Sequence, residues 1–450
     1  MSDLHFMPHQ EEVLNLTDDK NRCAYYLDMG LGKTFVGAEK MYLLNNNVNL
    51  IVCQKSKIED WVDHIRTFYP EYWVMDLTNK NDSSVFRKIM ESKGIYEFTS
   101  QIVGVINYDL IFRRSYIAHI TDFTLLLDES SLICNENAKR SKFILKLQPE
   151  SVILLSGTPT AGKYERLWSQ LKLLGWDINK KAFYASYVQT EWIENGDGYK
   201  KEVITGYKHV EHLKKRLTQF GAVFMKTEEV IELPEQTEQK IFLNVTNEYK
   251  FFIKHDYLEL DTKNLVRFKD DSDYYGEDIT PMVELIGDNS LTKTLYCRQL
   301  CGQWHKSKQD AFRDLLESTE DRVIVFYNFN EELSRLTKIC DALERPYCAV
   351  NGQCRDLRAY EKYDNSVTFV QYQAGAMGLN LQRANKIIYF TLPLGKGSCD
   401  LWEQSKKRIH RIGQSRPCFY YYLLVKGSFE ERNLAALREG KELTDDLFEK

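Results

Sequence analysis

The sequence lacks the features of a membrane or secreted protein. None of its 450 residues belongs to an apolar run of the roughly 18 residues that a membrane-spanning helix needs. The first six residues show no basic region followed by an apolar one, so a secretory signal is not expected. We therefore predict a protein of the cytoplasm that has no membrane partner.

The sequence also lacks a disulfide framework, a clear metal-binding cluster and an excess of positive charge. Its ten cysteines include no Cys-x-x-Cys pair, and the closest two, Cys297 and Cys301, have no second pair of Cys or His at a matching spacing. Two zinc ligands at this helical spacing remain an alternative, but reduced and mostly buried thiols are expected. The formal net charge of -5 argues against a generally basic nucleic-acid-binding protein, although it is compatible with a local basic groove.

Continuous apolar runs recur along the chain, and each is followed by a turn or by a helical pattern. Runs without polar alternation are typical of strands in a parallel sheet that is covered on both faces. A first series comprises residues 23–27, 50–53, 102–106, 123–127 and 152–155, and a second comprises residues 323–326, 347–350, 367–370, 386–390 and 419–425. Their alternation with helices predicts an α/β fold with two doubly wound parallel-sheet domains in tandem.

The stretch between the two series is richer in charge and in helical periodicity, and we predict that it forms helical insertions between the two sheets. The expected domains are residues 1–235, with a helical insertion from about residue 161, and residues 236–450, with a helical insertion that extends to about residue 309. The length of the chain is compatible with two or three domains of about 100–200 residues each.

The most informative segment is Leu27–Thr34, which lies between an apolar run and a helical pattern at residues 35–44. This order of strand, loop and helix is the one that a phosphate-binding loop requires. Gly30 and Gly32 let the backbone approach an anion without an intervening side chain. The N–H groups at the start of the helix then point at the phosphate oxygens.

Two side chains at the end of this loop have the chemistry of a nucleotide site. Lys33 is suited to the β- and γ-phosphates, and the Thr34 hydroxyl is suited to Mg²⁺. A standard loop has glycine in place of Leu27, so the match rests on the Gly-Lys-Thr end. In this context a nucleotide-binding loop is favoured over a glycine-rich turn.

A pair of carboxylates, Asp128 and Glu129, follows a buried strand at the point where open α/β sheets bind ligands. Asp128 is suited to hold Mg²⁺ opposite Thr34, and Glu129 is suited to polarise the water that attacks the γ-phosphate. An acidic loop without function is the alternative, which the Gly-Lys-Thr loop makes less favourable. Another strand ends in a loop of small residues that contains Thr158, whose hydroxyl is a candidate sensor of the γ-phosphate.

A basic segment near the end of the chain contains Arg408 and Arg411, whose i, i+3 spacing predicts that they share one face of a helix. Guanidinium groups suit a phosphoryl transition state because they are planar, permanently charged and able to bond bidentately. Arginines supplied by a second domain would couple hydrolysis to domain closure. A solvated charged face is the alternative.

In their order along the chain, these motifs resemble the Swi/Snf-type branch of superfamily-two helicase-like ATPases, over nearly the whole chain. The resemblance is close in Asp28–Thr34. It is most specific in Gln404–Gln414, because few other families have a last motif of this sequence. It implies two RecA-like domains that bind ATP and Mg²⁺. The compact chain is similar to minimal phage or prokaryotic members, and a phage-encoded protein would work in the host cytoplasm.

The resemblance also implies roles for individual residues. Gln10 corresponds to the adenine reader and Gly378 to a nucleotide contact, whereas Thr158 and Gln404 correspond to residues that couple hydrolysis to movement. The expected contacts with DNA are Ser56, Asn107, Tyr108, Gln373 and Trp402. Tyr108 and Trp402 are equally compatible with core aromatic residues.

The chain departs from the family after Asp128 and Glu129. The usual motif ends in Ala-His or Gly-His, whereas this chain has Ser130 and Ser131. The replacement leaves the metal and water chemistry in place, but it removes a histidine expected in the coupling of hydrolysis to motion. The asparagine that usually follows Thr-Pro is also absent, and Gly162 stands near its place.

The function that the resemblance implies is a DNA-stimulated ATPase that translocates along double-stranded DNA. Its context would be replication, recombination, repair or the remodelling of DNA–protein complexes, and we expect a monomeric motor whose duplex partner includes forked or branched DNA. A helicase that separates strands or remodels forks is the alternative in this class. A non-enzymatic DNA-binding module is disfavoured by the complete set of candidate catalytic residues, and a small-molecule kinase by the second α/β domain.

Overall fold

The computed structural model describes residues 5–28, 30–92, 101–160, 163–194, 200–230, 233–261, 282–372, 379–395 and 397–440. The chain divides into two compact units, residues 1–232 and residues 233–450, which we call the first unit and the second unit. In the described ranges, no helix is long and apolar enough to cross a membrane.

The first unit is built on a seven-stranded sheet whose strands all run parallel. Its strands in chain order are β1 (Arg22–Leu27), β2 (Val48–Cys53), β3 (Trp73–Asp76), β4 (Ile102–Asn107), β5 (Phe123–Asp128), β6 (Ser151–Leu155) and β9 (Ala222–Met225). The spatial order is β3-β4-β2-β5-β6-β1-β9. All five runs of the first apolar series lie in this sheet, so the prediction of a parallel sheet is confirmed.

Helices surround this sheet because its strands are apolar on both faces. They are α1 (Pro8–Asn15), α2 (Lys33–Leu44), α3 (Ile58–Phe68), α4 (Lys80–Glu91), α5 (Tyr108–Ile111), α6 (Lys139–Ile144), α7 (Trp168–Leu173), α8 (Lys180–Tyr187), α9 (Val210–Gln219) and α10 (Thr227–Val230). Helix α2 lies so close to the sheet that a Cβ atom at Gly37 would meet Leu155 Cδ1 at 2.8 Å. This close approach fixes the helix that follows the predicted phosphate loop.

The second unit is built on a six-stranded sheet that is also parallel throughout. Its strands are β10 (Gln236–Asn244), β13 (Val323–Tyr327), β14 (Tyr347–Val350), β15 (Val367–Gln371), β16 (Lys386–Tyr389) and β17 (Cys418–Lys426), in the spatial order β10-β17-β16-β13-β15-β14. Each run of the second apolar series corresponds to one of these strands, and only Phe390 lies beyond the end of its strand, β16. The chain therefore has the predicted fold class, with two parallel-sheet α/β units in tandem.

The described helices of the second unit lie between these strands and after the last one. They are α11 (Asn247–His255), α12 (Ser290–Cys301), α13 (Lys306–Glu317), α14 (Asn330–Ala342), α15 (Arg358–Lys362), α16 (Ser398–Lys406) and α17 (Phe429–Glu439). Lys308 of α13 and Glu430 of α17 form an ion pair of 2.6 Å whose side chains are 0% and 2% exposed.

The stretch predicted to be helical, from about residue 161 to residue 309, is only partly so. It contains two antiparallel hairpins, β7 (Val188–Glu194) with β8 (Lys200–Tyr207) and β11 (Tyr257–Asp261) with β12 (Met282–Ile286). It also contributes β9 and β10, which extend the two main sheets. Strands β7 and β10 were not predicted because they are largely exposed, and so they carry many polar residues instead of apolar runs. Strand β9 is a short apolar run, Ala-Val-Phe-Met, that the prediction missed.

Candidate active site

The segment predicted to bind phosphates forms a tight turn between β1 and α2. Gly30 and Gly32 have φ angles of 95° and 77°, in the left-handed region that glycine adopts without strain. Gly32 is the N-cap of α2, which begins at Lys33. The first N–H groups of α2 therefore open into the loop, as an anion site at a helix N-terminus requires.

Two side chains from α1 lie against this loop. The Gln10 side-chain amide and a His9 ring nitrogen each lie 3.2 Å from the carbonyl oxygen of Leu31. A Cβ atom at Gly32 would lie 2.1 Å from Gln10 Nε2, so a side chain at position 32 would displace Gln10. The structure thus brings the expected adenine reader next to the phosphate loop, while its contact with adenine stays a prediction.

The Lys33 side chain bends back over the end of β1. Its Nζ atom donates hydrogen bonds to the carbonyl oxygens of Leu27 at 2.8 Å and Asp28 at 3.1 Å. The Asp28 carboxylate accepts a hydrogen bond of 3.2 Å from the backbone N–H of Thr227, which ties the loop to α10. The ammonium group thus donates to two neutral carbonyl oxygens, and phosphate oxygens can take the place of these acceptors.

Asp128 is the last residue of β5 and lies at the carboxyl edge of the first sheet, where β1, β2, β4, β5 and β6 end. Its Oδ2 atom accepts a hydrogen bond of 2.8 Å from the indole N–H of Trp61, on α3. Burial raises the pKa of Asp128, while the Trp61 hydrogen bond and the charges of Lys57 and Lys33 act in the opposite direction. A carboxylate in such surroundings gains from a nearby cation.

Glu129 occupies a strained turn directly after β5, and we call the segment Asp128–Ser130 the carboxylate turn. Its φ and ψ angles are 57° and 60°, a left-handed conformation that is uncommon for residues other than glycine. The Tyr108 hydroxyl donates to the carbonyl oxygen of Asp128 at 2.9 Å and lies 3.4 Å from that of Glu129. The tyrosine therefore holds the backbone of the turn that carries the two carboxylates.

The loop after β6, which contains Thr158, ends at the same edge of the sheet. The backbone N–H of Thr158 donates to Ser156 Oγ at 3.1 Å. The Thr158 hydroxyl oxygen is buried, and among the described residues it has no hydrogen-bond partner. Gly162, which stands near the place of a missing asparagine, lies outside the described residues.

Sequence reasoning missed the supporting role of two residues at this edge. Trp61 is 1% exposed and orients Asp128, whereas Gln170, which is 0% exposed, bonds to both the carboxylate turn and the Thr158 loop. No spacing rule points to them, because they act through tertiary contacts from α3 and α7. Aromatic and amide residues near nucleotide motifs are common, so the sequence alone does not show that these two orient other groups of the site.

The donor groups at the carboxyl edge fit a magnesium nucleotide. The Thr34 hydroxyl and the Asp128 carboxylate are oxygen ligands of the kind that Mg²⁺ prefers. Gly32 lets Gln10 lie against the loop without a clash, and Lys33 supplies a positive charge beside it. The same residues that the sequence singles out are thus assembled within the first unit.

The predicted DNA contacts of the first unit also lie near the ends of its strands. Ser56 is in a short 3₁₀ helix, Lys55–Lys57, directly after β2, and it is half-buried. Asn107 is the last residue of β4 and is 8% exposed. Tyr108 is 2% exposed and bonded to the carboxylate turn, which favours its alternative role as a core residue.

The basic segment of the second unit differs from the prediction. Helix α16 ends at Lys406, so Arg408 and Arg411 lie in the turns that follow and do not share a helix face. A tertiary hydrogen bond of 3.3 Å from the Leu381 N–H to the Arg408 carbonyl replaces helical bonding there, and Gly413 has a φ of 92°. The prediction of a helical arginine pair is therefore wrong.

The two arginines are nevertheless placed in an ordered part of the fold. Arg408 is 2% exposed. Arg411 donates to Asn380 Oδ1 at 2.5 Å, and burial lowers the pKa of its guanidinium group. An amide oxygen orients this guanidinium group without opposing its charge.

The remaining predicted residues of the second unit lie on α16 or outside the described residues. Gln404 is half-buried on α16. Trp402 is 2% exposed, and the Lys406 ammonium lies 3.6 Å from its ring centroid, which favours the core alternative. Gln373 and Gly378 lie outside the described residues.

Comparisons with known proteins agree with the geometry of both units. Residues 9–303 match the family model of the SNF2-related domain, and residues 307–413 match that of the helicase conserved C-terminal domain. A human SWI/SNF-related matrix-associated actin-dependent regulator of chromatin, subfamily A member 1, is 23% identical over 90% of this chain and 39% of its own length. An uncharacterized ATP-dependent helicase of Mycoplasma pneumoniae is 24% identical over 92% of this chain and 39% of its own length.

Among solved structures, the Sulfolobus solfataricus SWI2/SNF2 ATPase core in complex with dsDNA aligns with a TM-score of 0.45 and 18% identity, over 99% of this chain and 93% of that chain. The chain spans 39% of the length of both the human and the Mycoplasma relative. The SNF2-related match extends over more than half of the chain, and the two family models occur in the order that the motifs predict. The chain therefore belongs to the SNF2-related family of helicase-like ATPases.

Proposed function

We propose that this chain binds ATP with Mg²⁺, hydrolyses it, and uses the hydrolysis to translocate along double-stranded DNA. The observation that carries the ATPase part is the meeting of the phosphate loop and the two carboxylates at the carboxyl edge of the first sheet. Burial raises the pKa of Asp128, and the positive charge of Lys33 is near enough to act against that rise, so the two motifs share one electrostatic neighbourhood.

In this proposal, the first N–H groups of α2 and the Lys33 ammonium bind the phosphates. Lys33 would release the carbonyl oxygens of Leu27 and Asp28 to phosphate oxygens, because the negative charge of a phosphate attracts the ammonium group more strongly than the dipole of a neutral carbonyl does. Thr34 and Asp128 would hold Mg²⁺, which when bound neutralises charge on the phosphates.

Glu129 is the proposed general base: it would orient the attacking water by accepting a hydrogen bond from it and then take up its proton. Glu129 lies in a left-handed turn whose backbone is bonded to the Tyr108 hydroxyl. In this proposal the two neighbouring carboxylates have separate roles, since Asp128 would hold the metal ion and Glu129 would face a water molecule. Gln10 would read the adenine from α1.

Arg408 and Arg411 are the proposed contribution of the second unit to the phosphoryl transition state. An ordered guanidinium that reaches the γ-phosphate is worth about 10³–10⁵ in rate. The bond between Arg411 and the neutral Asn380 supports this role because it orients the group while leaving its positive charge for an anion.

Translocation along duplex DNA is proposed from the family and from polar groups near the carboxyl edge of the first sheet. Ser56 and Asn107 would contact the phosphate backbone, a kind of contact that carries no sequence information. Gln404 and Thr158 are the proposed links between hydrolysis and movement. We propose a monomeric motor, and forked or branched DNA as a substrate alongside plain duplex.

The test measures steady-state ATP hydrolysis with no nucleic acid and with single-stranded DNA, duplex DNA, forked DNA or duplex RNA, beside triplex displacement from a duplex track. Duplex DNA is expected to stimulate hydrolysis most strongly among unbranched substrates, and the apparent affinity should fall as salt rises. The matched control is Lys33→Ala, which should not hydrolyse ATP. Equal or better stimulation by RNA would contradict the DNA part, and triplex displacement without ATP would contradict translocation.

A further inference from the structure

A buried amide in the first unit connects three segments of the nucleotide site. Gln170 lies on α7 and is 0% exposed. Its Oε1 atom accepts hydrogen bonds from Ser130 Oγ at 2.7 Å and from the Tyr26 hydroxyl at 3.1 Å, and its Nε2 atom donates to the Pro159 carbonyl at 2.8 Å. One side chain thus bonds to the strand before the phosphate loop, to the carboxylate turn and to the loop that contains Thr158.

The chemistry of the partners fixes the orientation of this amide. The Pro159 carbonyl can only accept, so it requires the NH₂ end of Gln170. The two hydroxyls then donate to the amide oxygen, which has two lone pairs. Ser130 and Tyr26 are themselves 0% and 4% exposed, so water offers little replacement for these bonds.

Neither a glutamate nor an apolar side chain can replace this arrangement. A glutamate would lose the donor that Pro159 requires and would place a charge in the core. A methionine would fit the space but would leave two hydroxyls and a carbonyl without their partner. The site therefore specifies glutamine, although position 170 contacts neither the phosphate loop itself nor the two carboxylates in any bond described above.

Ser130 gives this connection its significance. It directly follows Glu129. Together with Ser131 it stands where the family motif that this segment resembles ends in Ala-His or Gly-His. Alanine or glycine at position 130 would have no hydroxyl to donate to Gln170. The link from the carboxylate turn to the Pro159 carbonyl thus depends on a residue in which this chain departs from the pattern.

We propose that Gln170 is a positioning residue that, through Ser130 and Pro159, couples the turn bearing Glu129 to the loop bearing Thr158. The proposal rests on the proposed ATPase function of the same site. A shift of either loop is transmitted to the other through one rigid amide. Hydrolysis should therefore depend on the connection more than ATP binding does, because the phosphate loop keeps its own bonds.

The test is a double-mutant cycle in ATP hydrolysis with saturating duplex DNA, using Gln170→Met, Ser130→Ala and the double variant. Gln170→Met should lower kcat about tenfold or more and change KM for ATP by less than about threefold. Ser130→Ala should lower kcat in the parent chain but cause little further loss in the Gln170→Met background, since the bond is already absent.

Matched controls separate positioning from general destabilisation. Gln309→Met removes another buried amide, whose Nε2 bonds to the Gln303 carbonyl in the second unit, and Ser141→Ala removes another buried hydroxyl of the first unit. Both should keep the parent kcat, while melting temperatures monitor folding. The proposal would be overturned if Gln170→Met lost no more kcat than Gln309→Met does. It would also be overturned if the kcat losses of Gln170→Met and Ser130→Ala multiplied in the double variant.

Two further readouts keep the outcome clear. If Gln170→Met does not fold, then Ser130→Ala and Tyr26→Phe each remove one hydroxyl of the network, and a kcat equal to that of Ser141→Ala in both would overturn the proposal. Absence of DNA-stimulated hydrolysis in the parent chain would contradict the proposed function instead. If DNA stimulates hydrolysis in the parent chain and the Gln170→Met variant has the same kcat, only the proposed role of Gln170 is contradicted.

Discussion

Two carboxylates, Glu430 fully buried in the second unit and Asp128 partly buried in the first, are held in different ways. Glu430 in the second unit receives the Lys308 ammonium at 2.6 and 2.8 Å and the Val425 N–H at 2.9 Å. Asp128 in the first unit receives the neutral indole N–H of Trp61 at 2.8 Å. Burial raises the pKa of both groups, but only Glu430 has an ammonium bonded directly to its oxygens among the contacts described.

This difference in hydrogen-bond partners indicates that the Glu430 charge has a structural role, whereas the Asp128 charge is suited to binding a cation. The Lys308–Glu430 pair is satisfied within the fold, and it joins α13 to α17. Asp128 is oriented by a neutral donor, so its negative charge remains to attract a cation. Removal of one charge of the Lys308–Glu430 pair should therefore cost stability, whereas removal of the Asp128 charge should cost activity. The predictions below test this contrast from the largest expected effect to the smallest.

Asp128→Asn is expected to lower ATP turnover by about a hundredfold or more, because the amide keeps a hydrogen-bond acceptor for Trp61 but is a poor ligand for Mg²⁺. Stability should be unchanged or higher, since a partly buried charge has been removed. Steady-state hydrolysis over a range of Mg²⁺ concentrations, beside thermal melting, measures both. A large loss of melting temperature would place Asp128 in the same structural class as Glu430.

Lys308→Met is expected to lower the free energy of unfolding by about 3–5 kcal/mol, because it leaves the Glu430 carboxylate buried without its partner. The matched variant Lys308→Met/Glu430→Gln should recover most of the loss, since the glutamine still accepts from the Val425 N–H. Urea unfolding measures these values. If the double variant were no more stable than the single one, the loss would come from packing and not from the unpaired charge.

His64, on α3 beside Trp61, provides a third kind of buried group. Its ring packs against Phe35, Trp61 and Phe68, and burial lowers its pKa from 6.5 to about 4. The unfolded chain takes up a proton first, so the stability contributed by neutral His64 is complete above pH 6.5 and is lost as the pH falls towards 4.

The expected loss across this range is up to about 3 kcal/mol, measured by urea unfolding at several pH values. The control variant His64→Leu replaces the ring by an apolar group that needs no proton. The difference between the two proteins should grow as the pH falls from 6.5 to 4. Parallel pH profiles would show that the His64 ring is not held neutral.

Trp61→Phe tests the neutral donor itself, because phenylalanine keeps an aromatic ring but lacks the indole N–H. We expect the apparent Mg²⁺ affinity in ATP hydrolysis to fall about tenfold, at a stability cost of about 1 kcal/mol. A Mg²⁺ titration of hydrolysis gives the shift. Trp402→Phe in the second unit is the matched control, and an equal change in Mg²⁺ dependence for both variants would contradict the orienting role of Trp61.

The sequence predicted the elements whose local requirements are strict. Strands buried on both faces need continuous apolar runs, and a phosphate loop needs glycine at Gly30 and Gly32, so both signals are visible in the residues themselves. The exposed edge strand β10 and the hairpins carry no such requirement, which explains why they were expected to be helical.

The arginine segment shows a related limit. The spacing of Arg408 and Arg411 identified the chemistry, but a three-residue interval is compatible with a turn as well as with a helix. In the structure the segment forms turns, and the Arg408 carbonyl accepts a tertiary hydrogen bond from the Leu381 N–H. For the same reason Trp61 and Gln170 escaped prediction, since their partners lie far away in sequence and near only in the fold.

The most direct test of the account compares ATP binding and ATP hydrolysis in Glu129→Gln, in the presence of Mg²⁺ and duplex DNA. The glutamine keeps the size of the side chain but cannot take a proton from water. The account predicts that hydrolysis falls about 10²–10⁴-fold while ATP affinity and melting temperature stay close to those of the parent chain. A near-parental rate of hydrolysis would contradict the assignment of this edge as the catalytic centre.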